Sequence, residues 1–483
     1  MKQGTIKQNF IFQISYQVSI FVIPLILSPY LTRSLGGNAL GIYTYSNSIA
    51  YYFLLFINLG INRHGQRAIA ASRNDEVELR KTFWGLFSVH TAASIIGVFL
   101  YIASCIFFAK EYLTIYLIQT LYVLSAFFDI TWLFYGLENF KSIAIKNAFV
   151  KVIECVLIFA LVRSSKDLWV YTLIMSASTL CGQAIMIPQA IKTVKPIKIS
   201  IDDAKVHIKP LLILFISVVA STVYTVFDKT LLGMMSNNIQ DVAYYEYANK
   251  IVTIPKIIMG VVATVLFPRA CKAAADKDIV LQKSIMSNLN LSTAVMGPAS
   301  VFGLAAIANK FALVYYGEEF AICGPIIFLM SPLILIVYLG DASRTGYLIP
   351  EHKDNIYVIC NVVSAILNLV VSASLIPCWG IYGAVFGTTI AEVFACAYQM
   401  SACRHIFGFK DVMKNLSPSL MIGLVMFAVV KFVDVHTANS VVWLMMEIVI
   451  GGTVYSLLTA VYLYFCHRNI WNSAVKVVRN KSV

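Results

Sequence analysis

The sequence predicts an all-α polytopic membrane protein with about fourteen transmembrane helices. Of the 483 residues, 59% are hydrophobic and only 13% are charged, whereas a soluble globular protein carries about a quarter charged residues. Apolar runs recur along the whole chain, each close to the roughly 20 residues that a helix needs to cross a bilayer. The runs are continuous rather than alternating, which excludes an outer-membrane β-barrel.

The apolar runs give the approximate bounds of the helices. The first run is longer than the apolar core of a secretory signal and lacks a small-x-small exit, so we expect no cleavable signal. The predicted spans are 10–32, 41–61, 83–108, 112–135, 144–163, 168–190, 210–234, 243–267, 285–309, 323–343, 355–376, 381–403, 416–434 and 440–466.

The formal charge of +13 is distributed as a topology signal. Most lysines and arginines lie in alternate short connections between apolar runs, which predicts a plasma-membrane protein with both termini in the cytoplasm. This placement also argues against a nucleic-acid partner. The ten cysteines are scattered without metal-ligand spacing, so we expect neither a metal site nor a cofactor.

A long basic connection divides the chain. Residues 191–209 form a predicted cytoplasmic linker between an N-terminal six-helix bundle, residues 1–190, and a C-terminal six-helix bundle, residues 210–403. Both bundles would begin on the same side, so we expect a pseudo-twofold axis along the membrane normal. Residues 404–483 would add two helices and a basic cytoplasmic tail.

A weak internal repeat supports the two halves. Gly41–Ile49 reads GIYTYSNSI and Ala243–Ile251 reads AYYEYANKI, and four positions are identical at a constant offset. One of these pairs is Asn47 and Asn249, which we take as candidate polar residues of a substrate cavity. A second weak repeat is an aspartate followed by a lysine at the same separation in both halves: Asp129 and Lys141, and Asp341 and Lys353.

The second copy lies in a segment, Val226–Lys256, that carries unusual charge for an apolar region. Charged side chains in a bilayer are costly and usually face a bundle interior or a wet cavity. Glu246 and Lys250 are four apart with the acid first, which favours an ion pair. The remaining cations are therefore the better candidates for free positive charge that binds substrate, and the alternative is a structural ion-pair network. The candidate substrate-binding cations of this segment are Lys229, Lys250 and Lys256, and Asp228 and Glu246 are candidates for coupling or charge balance.

Other intramembrane charges lie in the predicted helices 112–135 and 144–163. Lys151 and Glu154 are three apart and can touch, and Asp129 is expected to balance Lys146 if the two helices are neighbours. Both lysines are candidate substrate-binding cations. The candidates for coupling or charge balance are Asp129, Glu154 and, farther along, Asp341. Farther along, Glu392 has no cation within four residues. A lone buried carboxylate is a candidate proton carrier, or else a neutral acid hydrogen-bonded to a neighbouring helix.

Prolines inside predicted helices indicate bends. Pro24, Pro29 and Pro255 each remove a backbone hydrogen bond, which membrane helices tolerate where the freed group finds another partner or lines a cavity. We expect them to bend helices that open and close a cavity; the alternative is a static kink. Arg33, at the end of the first helix, is a candidate cavity cation or a headgroup contact.

Tyrosines cluster at the predicted outer helix ends and have two interpretations. They form an aromatic belt at the membrane interface, or they offer ring faces and hydroxyls to sugars. The tyrosines concerned are Tyr43, Tyr45, Tyr51, Tyr52, Tyr244, Tyr245 and Tyr247. Walker, G-x-S-x-G and H-E-x-x-H motifs are all missing from the sequence, which favours a transporter over an enzyme.

Three segments together carry a family resemblance: PYLTRSLGGNALGIYTYSNSI (Pro29–Ile49), DITWLFYGLENFK (Asp129–Lys141) and FDKTLLGMMSNNIQDVAYYEYANKI (Phe227–Ile251). The chain resembles Wzx-type polysaccharide flippases, of the multidrug/oligosaccharidyl-lipid/polysaccharide exporter superfamily. The resemblance implies two bundles that rock around a central cationic cavity, with proton or sodium coupling.

The resemblance also implies a substrate and partners. The substrate would be an undecaprenyl-pyrophosphate-linked oligosaccharide, carried from the cytoplasmic to the outer leaflet of a bacterial inner membrane for O-antigen, capsule or exopolysaccharide. Membrane lipids, a polysaccharide polymerase and a chain-length regulator would be its partners. Two alternatives within the superfamily stay open: an ion-coupled multidrug exporter and a flippase for a lipid-linked peptidoglycan precursor.

Overall fold

The computed structural model describes residues 22–108, 111–466 and 468. Within these residues the chain is helical, without strands, which confirms the all-α fold class. Eight helices of this part are long and apolar enough to cross a membrane, or up to ten if each of two bent pairs is one span. The count of fourteen therefore stays a prediction, and its first span lies partly outside the described residues.

The chain forms two compact units, Met1–Ala243 and Tyr244–Val483. In unit 1, a first helix α1 covers residues 22–34. The following helices are α2 Gly36–Asn58, α3 Ile61–Ser72, α4 Glu76–Phe108, α5 Leu113–Ser125, α6 Thr131–Gly136, α7 Phe140–Leu161, α8 Leu168–Ala184, α9 Ile187–Thr193 and α10 Ile201–Met235.

Helix α11, Gln240–Ala275, begins in unit 1 and continues into unit 2. The helices that follow in unit 2 are α12 Ile279–Phe311, α13 Cys323–Met330, α14 Pro332–Ser343, α15 Asp354–Trp379, α16 Ile381–Cys403, α17 Phe409–Val435 and α18 Val441–Cys466.

Helix α10 starts earlier than the sequence predicts. Ser200 and Asp203 form a capping box: the Ser200 hydroxyl accepts from the Asp203 amide at 3.2 Å, and the Asp203 carboxylate accepts from the Ser200 amide at 2.7 Å. Such reciprocal bonds satisfy two of the unpaired amides of a helix start. The second half of the predicted linker 191–209 is therefore helical, whereas the predicted bundle boundaries and pseudo-twofold axis stay predictions.

A sharp break after α2 produces a polar helix in unit 1. Leu59 and Gly60 both have positive φ, 43° and 76°, so the chain leaves the helix in the left-handed conformation that favours glycine. Helix α3 then buries Ile61 and Ile69 in a cluster around Trp132. Gly65 lies flat against that indole, because a Cβ at Gly65 would be 2.7 Å from the Trp132 ring.

Helix α11 bends after Gly260, beyond the position of Pro255. The segments Gln240–Gly260 and Val265–Ala275 differ in direction by 50°. A proline kinks a helix in the turn before it, where its ring meets the carbonyl of residue i−4. That turn precedes Pro268, whereas Pro255 lies inside the first segment. Pro268 therefore accounts for this bend, whereas bending at Pro255 stays a prediction.

Helix α14 contacts α11 beside this bend. The Tyr338 hydroxyl donates to the Pro255 carbonyl at 3.3 Å and accepts from the Gly260 amide at 3.0 Å. A single side chain thus bonds two successive turns of α11 just before its direction changes.

Candidate functional site

A polar cavity of about 360 Å³ lies in unit 1, at the end predicted to be cytoplasmic. Its wall comes from α3, the α5–α6 connection, α7 and α8. Charged and amide side chains dominate the lining, so water and polar ligands can occupy it. The lining residues are Asn62, Arg63, Gln66, Asp129, Thr131, Tyr135, Ile143, Lys146, Asn147 and Gln183. We call this the unit 1 polar cavity.

The DITW sequence places the carboxylate in this cavity. Asp129 ends a 3₁₀ turn with extended backbone, ψ 94°. Its Oδ1 accepts from the Thr131 amide at 3.1 Å and from the Thr131 hydroxyl at 2.6 Å. The Trp132 indole donates to the Asp129 carbonyl at 3.1 Å, so the carboxylate is held by its own turn.

Lys146 enters the same cavity from α7. Its Nζ donates to Gln183 Oε1 at 3.1 Å, and Asp129 is the carboxylate whose charge acts on it. The predicted proximity of Asp129 and Lys146 is therefore present. The side chain is 8% exposed, so its charge is sheltered from bulk solvent and acts strongly on any ligand in the cavity.

Sequence reasoning missed Arg63 as a cavity residue and counted it among loop cations. The available signal was the pair Leu59–Gly60 before a segment with apolar residues at helical spacing, which indicates a short amphipathic helix rather than a loop. Arg63, in the first turn of α3, lines the same cavity as Lys146. Two cations and one carboxylate thus share a small polar space.

The second charged pair of α7 faces elsewhere. Lys151 Nζ lies 2.7 Å from Glu154 Oε1, and the Glu154 side chain is 3% exposed. This contact was predicted from their spacing. Neither residue lines the unit 1 polar cavity. Asn47 lies deeper in unit 1, where its amide donates to Gln119 Oε1 at 3.4 Å.

Asp228 and Lys229 of α10 face α2. Asp228 is 4% exposed and acts electrostatically on Tyr52, while Lys229 acts on Tyr51. The Tyr52 hydroxyl lies 3.0 Å from the Thr230 hydroxyl. Both charged residues make further interactions, so the expectation that Lys229 carries free positive charge is wrong.

In unit 2, the expected Glu246–Lys250 pair is present, with Nζ and Oε1 4.0 Å apart. Lys250 also lies over the Tyr247 ring, 4.2 Å from its centroid. Tyr244, Tyr245 and Tyr247 are buried within the unit, which contradicts an interfacial belt for these three residues. Asn249 is partly buried on the same helix.

Lys256 and Glu392 act on each other electrostatically, although they lie on different helices. Glu392 and Asp341 are the carboxylates whose charges act on Lys256, and Asp341 Oδ1 also lies 2.6 Å from Arg344. Lys256 is therefore not a free cation, and Glu392 is not a lone carboxylate. Spacing along one helix could not reveal this, since the three residues lie on α11, α14 and α16.

The predicted residues of the first helix form a small local set. The Arg33 guanidinium donates to the Pro29 carbonyl at 2.9 Å, and its side chain is exposed. The Thr32 hydroxyl donates to the same carbonyl at 3.2 Å, and Ser28 donates to the Pro24 carbonyl at 2.6 Å. Side chains therefore bind the carbonyls of both prolines.

A buried ion-pair cluster lies in unit 2, at residues that were not predicted as a site. Lys310, 1% exposed at its side chain, lies 2.9 Å from Asp434 Oδ1 and pairs with Glu447, which is fully buried. Thr437 accepts from Lys310 Nζ at 2.7 Å and donates to Glu447 at 3.0 Å. We call Lys310, Asp434, Thr437 and Glu447 the Lys310 cluster; it joins the end of α12 to α17 and α18.

Comparison with known proteins decides the family. The sequence matches the family described as "Polysaccharide biosynthesis protein" over residues 6–274, more than half of the chain. The chain belongs to this family. This confirms the predicted resemblance, and the family indicates a multi-pass membrane transporter rather than an enzyme.

Individual relatives agree with this assignment. The chain is 24% identical over 406 residues to a "Putative O-antigen transporter" of Shigella dysenteriae, covering 82% of this chain and 100% of that protein. It is 22% identical over 255 residues to a "Probable low-salt glycan biosynthesis flippase Agl15" of Haloferax volcanii, covering 51% and 52%.

The solved structure "Lipid II flippase MurJ, inward closed conformation" has a TM-score of 0.73 to this chain at 17% identity, covering 94% of this chain and 99% of that one. This likeness concerns the fold.

Proposed function

We propose that the protein moves a lipid-linked oligosaccharide from the cytoplasmic to the outer leaflet of a bacterial plasma membrane during synthesis of a surface polysaccharide. The family and the names of its relatives support a role in glycan export. The lipid carrier that we propose is undecaprenyl pyrophosphate. We also propose that both termini lie in the cytoplasm. A polymerase with a chain-length regulator would consume the exported units.

The unit 1 polar cavity is the observation that carries the substrate class. Arg63 and Lys146 line it beside amide groups, which is the chemistry that binds a pyrophosphate: fixed cations with hydrogen-bond donors. Asp129 prevents the empty cavity from holding an uncompensated double positive charge. A cationic drug would be repelled by the same pair, which disfavours the multidrug alternative.

Gene deletion and complementation test this function. Deletion should abolish surface glycan and accumulate lipid-linked oligosaccharide in the cytoplasmic leaflet. Lys146→Gln or Arg63→Gln should then lower export about tenfold to a hundredfold, since a hydrogen bond to a charged group is worth about 1.5–3 kcal/mol. Lys141→Gln is the matched control, because Lys141 is exposed on the same helix and does not line the cavity.

Two results would contradict the proposal. Normal surface glycan in the deletion strain, with altered drug resistance, would favour the multidrug exporter. Loss of cell-wall integrity with normal surface glycan would favour a peptidoglycan-precursor flippase. Equal export by Lys146→Gln, Arg63→Gln and Lys141→Gln, at equal membrane abundance, would remove the cavity from the mechanism.

We propose that transport is coupled to a proton or sodium gradient through unit 2, by alternating access. The support is the grouping of Lys256 with Asp341 and Glu392, because a cation flanked by two carboxylates can exchange its neutralising partner for an entering ion. Glu392→Gln should abolish the pH dependence or sodium dependence of transport. An unchanged dependence on both ions would exclude Glu392 from coupling.

A further inference from the structure

Unit 1 contains a second and larger cavity, of about 780 Å³. It lies toward the starts of α2 and α5, whereas the unit 1 polar cavity lies beyond their ends. Tyr112 and Tyr116 line it at the start of α5, and residues between Asn38 and Phe53 line it along α2. The end of α4 and the connection between α10 and α11 complete its wall. Its volume falls within the range of about 300–1,000 Å³ typical of ligand sites.

The lining of this cavity has a chemistry of its own. Ring faces come from Tyr45, Tyr112 and Tyr116, and amides come from Asn38, Asn238 and Gln240. Among the described residues that line it, none is a lysine or an arginine. We call it the tyrosine pocket.

The tyrosine pocket and the unit 1 polar cavity differ more clearly in the charge of their lining residues than in volume. Glu111 lines the tyrosine pocket and accepts a hydrogen bond from the Tyr112 hydroxyl at 2.7 Å. Among the described lining residues Glu111 has no cation beside it, and a carboxylate repels phosphate and accepts hydrogen bonds from hydroxyls. Tyrosine rings offer broad apolar faces beside their polar hydroxyls, which suits the C–H faces of sugar rings.

Glycines allow neighbouring groups to pack directly against the backbone in the wall of the tyrosine pocket. Tyr45 lies flat on α10 at Gly233, where a Cβ would be 2.1 Å from the Tyr45 ring. A Cβ at Gly41 would lie 2.2 Å from the Ile239 carbonyl oxygen. The α10–α11 connection is fixed as well, because the Ser236 hydroxyl donates to Asp241 at 2.5 Å. The pocket is therefore set by glycines at two positions on facing segments.

We propose that the tyrosine pocket binds uncharged sugar residues of the exported glycan. The proposal rests on the function proposed above and adds that sugar and pyrophosphate have separate sites at opposite ends of unit 1. The glycan is held at the predicted outer end by ring faces and amides, without contribution from the cations that bind phosphate.

The test uses the full-length protein in nanodiscs and a neutral repeat-unit oligosaccharide, released by mild acid from the strain's own surface polysaccharide. Saturation-transfer NMR measures its binding. We expect transfer to the sugar ring protons, and about tenfold weaker binding for Tyr45→Leu combined with Tyr112→Leu. Tyr43→Leu is the matched control, because Tyr43 packs against Tyr171 with ring centroids 4.6 Å apart and does not line the pocket.

Two further variants test the pocket, and the one at the exposed position separates weaker binding from misfolding. Gly233→Ala should displace the Tyr45 ring and weaken sugar binding, and Asn238→Ala, at an exposed position, should weaken it without a change in melting temperature. Inorganic pyrophosphate in excess should leave sugar binding unchanged. No sugar binding by the wild-type protein, equal binding by all variants, or displacement by pyrophosphate would each overturn the proposal.

These results separate the two proposals. If deletion abolishes surface glycan while the pocket variants bind sugar normally, the glycan-export function stands and the tyrosine pocket fails. If deletion leaves surface glycan intact, the export function fails, whatever the pocket binds.

Discussion

The Lys310 cluster and the unit 1 polar cavity each contain a buried lysine, but the surroundings of the two lysines differ. Both place a lysine in an apolar chain with little exposure, 2% for Lys310 and 8% for Lys146. Lys310 is enclosed by two carboxylates and a hydroxyl. Lys146 contacts a neutral amide at the edge of a cavity. A buried cation that is fully paired stabilises structure, whereas one that faces a cavity remains available to a ligand.

The largest expected effect tests the structural side of this comparison. Lys310→Met would leave Asp434 and Glu447 without their shared cation, and breaking a buried pair from one side costs about 3–5 kcal/mol. We expect a marked fall in the melting temperature of the purified protein, measured by circular dichroism in detergent.

Lys431→Met is the matched control, because Lys431 binds the same Asp434 at 2.9 Å with a partly exposed side chain. It should cost only about 0–1 kcal/mol. Equal melting temperatures for Lys310→Met and Lys431→Met would show that the Lys310 cluster is hydrated and would remove the contrast between the two regions.

The second prediction tests the cavity side. Lys146→Met should lower the free energy of unfolding by about 1.5–3 kcal/mol, less than Lys310→Met, since it removes one hydrogen bond from a charged donor to an amide. It should nevertheless strongly reduce glycan export. Melting temperature and surface glycan are measured on the same variant. A large loss of stability together with the loss of export would assign Lys146 a structural role like that of Lys310.

The third prediction concerns a contact between two histidines of unit 1. His64 Nε2 and His207 Nδ1 lie 3.1 Å apart between α3 and the start of α10. Burial lowers the pKa of both imidazoles, that of His207 to about 4. Arg67 adds to this lowering at His64, and Asp203 opposes it at His207.

Because these folded-state pKa values lie below the ordinary value of 6.5, the unfolded chain binds more protons in this range. The stability from the neutral pair is therefore complete above about pH 6.5 and is lost as the pH falls toward about 4. The melting temperature should fall from about pH 7.5 to about pH 5, and His207→Phe should flatten this slope. An equally steep slope in His207→Phe would assign the pH dependence to other groups.

The smallest expected effect belongs to the pair that the sequence predicted most directly. Glu246 and Lys250 lie 4.0 Å apart with partly exposed side chains, so Lys250→Ala should cost about 0.5 kcal/mol or less. Export should be measured on the same variant. A stability loss as large as that of Lys310→Met would mean that exposure is a poor guide to the strength of these pairs.

The sequence predicts contacts within one helix better than contacts between helices. The pairs Glu246–Lys250 and Lys151–Glu154 followed from their spacing, because residues three or four apart share a helix face. The pair Lys310–Glu447 joins residues 137 positions apart, and no periodicity encodes which helix ends meet. The grouping of Lys256 with Glu392 escaped prediction for the same reason.

The residues of the unit 1 polar cavity were likewise predicted only in part. DITW and the lysines of α7 were recognised as carriers of chemistry, but Arg63 was missed because its position depends on the left-handed turn at Leu59–Gly60. Bends were predicted from proline content alone, and the turn before Pro268 was overlooked in favour of Pro255. Local chemistry was therefore visible in the sequence, while the arrangement of cavities required the folded chain.

The Lys310 cluster also constrains how this gene can change. A shortened protein that ended after α16 would keep the Lys310 ammonium but lose Asp434 and Glu447, which lie on α17 and α18. An unpaired cation in that position is costly, so the last two helices cannot be deleted in a single step without a replacement at position 310. Sequences of this family that lack the two helices should therefore carry an uncharged residue there.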